Sequence, residues 1–280
     1  MKILITGING QVGSELIRQA QDKGHEVVAI SREQWDMAQA PKQGEELVLE
    51  AKPDLVINSA AYTNVDGAED SEATALRVNA DAPRALAKGC MQLDIPIFHI
   101  STDYVFDGAK EEPYVETDQT NPINAYGRTK LAGELAIQEE TWKHIILRTS
   151  WVFSKDGKNF VNTILRLAKE RDELKIVNDQ FGGPTNAKSI AEVLIKLATE
   201  HKEQWGLYHY SGLPFVSWFE FAITIVKKKQ KVLLNKNIKM KATTTSKHET
   251  IAKRPENSKM SSEKINTTFD IKDHEWEIFL

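Results

Sequence analysis

Short apolar runs alternate with stretches of helical period through the first half of the chain. Residues 2–5, 26–30, 55–58, 97–100 and 144–147 are rich in Val, Ile and Leu, the composition of strands covered on both faces. Between them, residues 11–23, 45–51, 73–93 and 125–140 repeat apolar side chains at helical spacing, and in the first of these Val12, Leu16, Ile17 and Ala20 share one face. Strand and helix in succession predict an α/β fold, a Rossmann-type doubly wound parallel sheet over residues 1–148. After Arg148 the pattern loosens. A helix over 159–169, a strand over 174–177 and a helix over 187–199, broken by the turn at 179–185, predict a smaller α/β domain over 149–280, part of which returns to the first. The lysine-rich stretch 227–247 reads as a solvated helix end and loop rather than a phosphate contact.

The first strand runs without a loop into Thr6-Gly7-Ile8-Asn9-Gly10-Gln11-Val12-Gly13. A turn that brings backbone amides to a pyrophosphate cannot carry a Cβ at its closest points, and a helix N-terminus behind it presents partial positive charge to the anion. Strand, glycine turn, helix and second strand together predict a dinucleotide site built on Gly7, Asn9, Gly10, Gln11, Val12 and Gly13. The Gly-x-x-Gly-x-x-Gly spacing is that of the extended short-chain dehydrogenases.

The end of the second strand should select the cofactor. An acid there accepts the ribose hydroxyls and repels a 2'-phosphate, whereas this chain has Ser31 and Arg32, which favour NADPH. Glu33 and Asp36 leave NADH open. Asp36 and Met37 are expected beside the adenine, and Ala60, Ala61, Tyr62 and Thr63, after the third strand, along the cofactor wall with Asn79 and Ile100.

A free tyrosine is a poor acid near neutrality and needs a neighbouring cation to stabilise its phenolate. Tyr126 and Lys130 stand at i and i+4 of the helix over 125–140, on one face. Upstream, Thr102 sits at the end of a strand, where its hydroxyl can bond a reacting oxygen. Thr102, Tyr126 and Lys130 are therefore the candidate catalytic residues.

Composition narrows the setting. The chain has 280 residues, 41% of them hydrophobic, a net charge of −4 and one cysteine, so neither a disulfide framework nor a broad basic surface for nucleic acid is expected. No run suits a membrane span or a leader, and a reducing cytoplasm is the expected location.

Several ordered motifs carry a resemblance that covers the whole chain. They are the glycine turn, Asn58-Ser59-Ala60-Ala61-Tyr62-Thr63-Asn64-Val65-Asp66, Ser101-Thr102-Asp103-Tyr104-Val105-Phe106-Asp107-Gly108 and Tyr126-Gly127-Arg128-Thr129-Lys130-Leu131-Ala132-Gly133-Glu134. Arg148-Thr149-Ser150-Trp151-Val152-Phe153, Asn178-Asp179-Gln180-Phe181-Gly182-Gly183-Pro184-Thr185 and Arg254-Pro255-Glu256-Asn257-Ser258 follow. With these the chain resembles the dTDP-4-dehydrorhamnose reductases. The resemblance implies that NADPH or NADH reduces the 4-keto group of a dTDP-6-deoxy-L-lyxo-hexulose to give dTDP-L-rhamnose for surface polysaccharide. It implies that Thr102, Asp103, Tyr126, Lys130 and Trp151 touch the sugar or its reacting centre, with Val105 and Phe106 beside them. The 149–280 domain is then mainly substrate-binding, where Arg254 suits a diphosphate and Asn257 can bond the same nucleotide end.

Two relatives of this fold give rival readings. Sugar-nucleotide 4,6-dehydratases need an Asp-Glu pair after the threonine, and Tyr104 stands at the Glu position, which favours plain reduction over dehydratase or epimerase chemistry. The regulatory beta subunit of methionine adenosyltransferase keeps the fold and a nucleotide site without the reaction. Monomer and homodimer both remain open. Some family members form dimers bridged by Mg2+ through carboxylates; Glu15 matches one such position, but Lys188 stands at another, and an ammonium repels a cation. No metal ligand is therefore assigned.

Overall fold

A strand covered on both faces needs little but aliphatic side chains, and the third and fourth apolar runs lie at the centre of the sheet. The computed structural model describes residues 1–233 and 236–280. In chain order the first half comprises β1 (Lys2–Thr6), α1 (Gln11–Asp22), β2 (Glu26–Ile30), α2 (Gln43–Ala51), β3 (Leu55–Asn58), α3 (Val65–Asp70), α4 (Glu72–Leu76), α5 (Ala82–Gln92), β4 (Ile97–Thr102), α6 (Ala125–Glu140) and β5 (His144–Thr149). The second half comprises β6 (Val152–Phe153), α7 (Phe160–Glu170), β7 (Glu173–Val177), β8 (Phe181–Gly182), β9 (Thr185–Asn186), α8 (Ala187–Glu200), β10 (Gly206–His209), β11 (Val216–Ser217), α9 (Trp218–Lys228), β12 (Lys239–Thr243), β13 (Asn257–Ser258) and α10 (Glu263–Phe269).

The main sheet has the order β10-β5-β4-β3-β1-β2, with every pair parallel. Chain direction across the sheet reverses between β1 and β3, which opens a crevice beyond their carboxyl ends. Helices fill both faces. Leu16 of α1 packs with Ile190 and Leu194 of α8 on one side, and Val48 of α2 with Leu86 of α5 on the other. A separate apolar cluster of Phe153, Ile164, Leu174, Phe221, Ile225 and Trp276 belongs to the second half.

Three sequence expectations change in detail. The helix expected over 73–93 is divided by a π-helical turn at Arg77–Asp81. Pro83, one residue past Ala82, has no N–H to give the carbonyl of Asn79, so the wider turn leaves that carbonyl against Gly133 of α6, where a Cβ would collide with it. The lysine-rich stretch is not all loop: Lys239 and Lys241 lie in β12, parallel to β7, and both approach Glu173. Leu234 and Asn235 of that stretch lie outside the described residues. The return of the second half to the first is made by α8 and by β10, which adds the sixth strand. Among the described residues no helix is long and apolar enough to cross a membrane.

Candidate active site

A cavity of about 1020 Å³ opens at the crevice. Its floor is the glycine turn. Gly7 has φ 73°, and a Cβ there would fall 2.5 Å from the backbone nitrogen of Ala60, so the turn and the end of β3 lie in close contact. Gly10 donates its N–H to the Gly7 carbonyl at 2.9 Å, and no side chain caps the N-terminus of α1. The first-turn amides are thus free to meet a phosphate. Asp103 Oδ2 and Thr149 Oγ1, both in the cavity lining, are buried polar atoms with no hydrogen-bond partner among the described residues. An uncapped helix end, a cradle without Cβ and unpaired polar atoms at the far wall fit a dinucleotide with a polar co-substrate.

Of the expected cofactor residues, Gly7, Asn9, Gly10, Gln11, Val12, Ser31, Arg32, Asp36, Met37, Ala60, Ala61, Tyr62, Thr63 and Ile100 line this cavity with Tyr126 and Lys130. Gly13 and Asn79 do not. Gly13 lets α1 sit against the Gly7 carbonyl, and Asn79, fully buried, accepts from Tyr62 N at 2.8 Å and donates to Thr129 Oγ1 at 3.0 Å, so both act from behind the wall. Ser31 Oγ and N close a small ring with Gln34, and Arg32 is 78% exposed with only a 3.8 Å contact to Asp36. The guanidinium is therefore free to move toward an anion.

The catalytic candidates converge. Asn124 caps α6 by accepting from Gly127 N at 2.8 Å, and Ala125 N donates to Glu69, so the first turn that carries Tyr126 is fixed at both ends. Burial pushes the Tyr126 phenol up to about 12, against the nearby Thr102 hydroxyl, which works the other way. The depression of this phenol by Lys130 that the i,i+4 spacing suggests is not what the geometry gives. Lys130 Nζ donates to the Ile100 carbonyl at 2.7 Å and lies 3.0 Å from His99 Nε2. Burial brings Lys130 down to about 8, and Glu134 one turn on opposes this. Thr102 Oγ1 accepts from Tyr104 N at 3.2 Å and donates to Asp103 Oδ1 at 3.1 Å. Burial raises Asp103 to about 6, against the nearby Ser258 and Thr102 hydroxyls, which favour the carboxylate. Tyr104 sits edge-on to Tyr126 at 5.7 Å, and its phenol is driven well above the usual range by burial, so this position supplies no carboxylate.

At the other end, Trp151 and Arg254 line the cavity with Asp103. Arg254 is held by Asp66 at 2.9 Å. Val105, Phe106 and Asn257, expected at the substrate, are corrected by the structure. The short 3-10 turn at Asp103–Val105 directs the next residues inward, and Phe106 stacks on Tyr114 at 4.1 Å in a buried cluster with Val105 and Met260. Asn257 spends its amide on the carbonyls of Lys110 and Glu112. All three brace the loop behind Thr102 and Asp103 rather than the cavity face.

Asp66 and Thr149 stand in the motifs without an assigned role, and His99, Phe160 and Trp218 stand in none; all five meet the site or its supports. Trp218 could have been found: Ser217 and Glu220 form a capping box that announces the start of α9. The donor set at Glu15 does not suit a dication, because Arg18 neutralises Glu15 at 2.6 Å and Lys188 extends toward Glu192 at 3.7 Å.

The profile of the RmlD substrate binding domain matches residues 1–280. The dTDP-4-dehydrorhamnose reductase of Burkholderia thailandensis is 44% identical over 286 aligned residues, covering 99% of this chain and 95% of that protein. Its namesake in Escherichia coli K12 is 39% identical, with 99% and 95% covered. A solved dTDP-4-dehydrorhamnose reductase from Clostridium acetobutylicum superposes with a TM-score of 0.92 at 38% identity, covering 99% of this chain and 96% of that one. That of Bacillus anthracis, solved in complex with NADP, gives 0.92 at 34% identity, with 99% and 96% covered. The chain belongs to the dTDP-4-dehydrorhamnose reductase family.

Proposed function

We propose that this chain reduces the 4-keto group of dTDP-4-dehydro-L-rhamnose to give dTDP-L-rhamnose, with NADPH as the preferred reductant and NADH as a second. The observation that carries the reading is the convergence of Tyr126, Thr102 and Lys130 on a cavity continuous with the uncapped end of α1.

The backbone of Gly7, Asn9, Gly10, Gln11 and Val12 would hold the pyrophosphate. Ser31, Arg32, Asp36 and Met37 would hold the adenosine end, and Ala60, Ala61, Tyr62, Thr63 and Ile100 the wall. When bound, the reduced nicotinamide supplies hydride to the carbonyl carbon. Tyr126 holds the proton that the carbonyl oxygen takes up as it becomes a hydroxyl, and the raised phenol keeps that proton through the neutral range. Thr102 steadies the same oxygen as charge grows on it, and Lys130 binds the ribose beside Tyr126. Trp151 offers a flat apolar face to the sugar, Asp103 a hydrogen-bond acceptor, and Arg254 a fork for the diphosphate.

In this proposal residues 1–148, with the returning α8 and β10, form the cofactor half, and the rest of 149–280 the sugar-nucleotide half. A cytoplasmic location, a monomer or homodimer and no nucleic-acid or membrane partner complete it.

The test mixes the purified chain with NADPH and the keto-sugar nucleotide. Stoichiometric NADPH oxidation with formation of dTDP-L-rhamnose is expected. Dehydration of dTDP-glucose without net cofactor change, or inertness toward both sugars, overturns the reading; inertness points to a non-catalytic subunit.

A further inference from the structure

The second half reaches the cofactor end of the cavity through one loop. Between β6 and α7, residues 154–158 line the cavity beside the glycine turn, and Gln11, the first residue of α1, meets them. Gln11 Oε1 lies 3.0 Å from Asn159 Nδ2 and 2.8 Å from Ser154 Oγ. The Asn162 backbone N–H donates to Asn159 Oδ1 at 3.0 Å, which leaves the Asn159 NH2 to face Gln11, so Gln11 must answer with its carbonyl oxygen. At Gly157, where φ is 83°, a Cβ would sit 3.7 Å from Gln11 Cγ, so the loop backbone passes within van der Waals range of the same side chain.

On its own side the loop is tied down by α7. Asn162 Nδ2 donates to the carbonyls of Lys155 at 3.1 Å and Gly157 at 2.9 Å, and Asn159 Nδ2 to that of Ser154 at 2.9 Å. Val161 and Ile164 seat α7 in the apolar cluster of the second half. The loop is therefore an anchored extension of that half, latched across the crevice onto the first residue of α1.

Charge decides what such a loop can hold. The turn from Thr6 to Ser14 carries no cation, whereas a dinucleotide brings a negative charge on each phosphate of its pyrophosphate. Among the described residues the cationic side chains that line the cavity are Arg32, Lys130, Lys155, Lys158 and Arg254. Arg254 is paired with Asp66, Lys130 is buried against the Ile100 carbonyl, and Arg32 stands at the tip of β2 near Asp36. Lys155 and Lys158 are exposed and make no ion pair among the described residues. Asp156 between them offsets one of the two charges at most, and Glu15, the acid nearest the turn on α1, is held by Arg18.

We propose that residues 154–159 are a strap over the cofactor pyrophosphate, latched by Gln11, in which Lys155 and Lys158 supply the cations that the glycine turn lacks. The second half then holds both co-substrates, the sugar nucleotide with Trp151 and the cofactor with a strap that begins at Ser154. Its role rests on the reading of the cavity as a dinucleotide site. The pyrophosphate is common to NADPH and NADH and the 2'-phosphate is not, so the two nucleotides together distinguish the strap from the Arg32 end.

Equilibrium titration of each nucleotide, followed by nicotinamide fluorescence without any sugar present, reads the strap independently of turnover. Lys155→Met combined with Lys158→Met should raise both dissociation constants by the same factor, about tenfold at low salt, and the difference should shrink as salt is added. Lys155→Arg combined with Lys158→Arg should keep the affinity. Lys227→Met combined with Lys231→Met removes the same net charge from exposed positions outside the cavity and should change neither constant by more than about twofold. In Gln11→Met the strap has lost its latch, so removing the two lysines as well should cost less than it does in the unaltered chain. Unchanged constants, a rise confined to NADPH, an equal loss in the Lys227 and Lys231 variant, or full additivity with Gln11→Met overturns the proposal. An unaltered chain that binds neither nucleotide overturns the dinucleotide reading along with it. A chain that binds both as expected and reduces no keto-sugar sinks the reductase reading alone and leaves the strap standing.

Discussion

Trp151 lies flat against Trp218, with ring centroids 3.5 Å apart and planes 9° from parallel. It does so at φ 47°, a region that bulky side chains rarely enter. The strain there is of order 1–3 kcal/mol, and an aromatic stack contributes about 0.5–1.5 kcal/mol beyond its buried area, so the two are comparable. Phe160 supports Trp218 at 4.4 Å, and Gly182 makes room beneath, since a Cβ there would fall 2.6 Å from the Trp151 ring.

Loss of the stack should therefore release Trp151 from its place in the cavity. Trp218→Ala is expected to raise KM for the sugar nucleotide about tenfold, the equivalent of one stack, with the dissociation constant of NADPH unchanged. Steady-state kinetics and cofactor titration check both halves, and weakened NADPH binding would count against the assignment of this end to the sugar.

Removing the phenol should leave the pocket shape intact. Tyr126→Phe is expected to lower kcat by about a hundred- to ten-thousandfold with little change in cofactor affinity. The donor is the protonated form, and a phenol held near 12 stays protonated at every lower pH. No loss of activity attributable to Tyr126 is therefore expected as pH rises to about 10.

Ser31 and Arg32 end β2 without a carboxylate at the strand's tip. Ser31→Asp should shift the ratio of kcat/KM for NADPH over NADH by about tenfold toward NADH, because a carboxylate repels the 2'-phosphate and accepts the ribose hydroxyls. Paired kinetics with the two cofactors measure it, and an unchanged ratio would place the adenosine elsewhere.

His99 and His209 are completely buried, and burial holds His99 far below 6.5 and His209 down to about 3. The folded state thus binds fewer protons than the unfolded one below 6.5, and stability is present above that pH and lost as pH falls. Each histidine contributes a slope of about 1.4 kcal/mol per pH unit. Asp103, raised to about 6 from 3.8, acts in the opposite sense between those two values and offsets one of them. Urea midpoints should fall on acidification from pH 6.5, more gently once Asp103 begins to take up its proton. A profile that is flat from about pH 7 to 5 would contradict the burial of neutral imidazoles.

What could be read from sequence was what neighbouring residues encode together. The glycine turn lies within one short segment, and Tyr126 and Lys130 within one helical turn. The line from Lys130 through His99 to Asn58 joins residues on α6, β4 and β3, and no local pattern announces it. Strand β10 is four residues that include Gly206 and His209, and its pairing with β5 is decided by α8 and α10 packing over it. Phe106 lies only four residues past Thr102, yet a single 3-10 turn sends its ring away from the cavity and onto Tyr114.

The return of α8 and β10 binds the order of synthesis to the order of assembly. A chain halted at residue 148 would lack the helix that covers Leu16 of α1 and would leave β5 an unpaired edge. The first half cannot be cut out at that boundary as a complete sheet: its last strand begins 57 residues after β5 ends, counting from Thr149 to Gly206. During translation the first half must wait, its apolar flank uncovered, for a segment that the second half encloses on both sides.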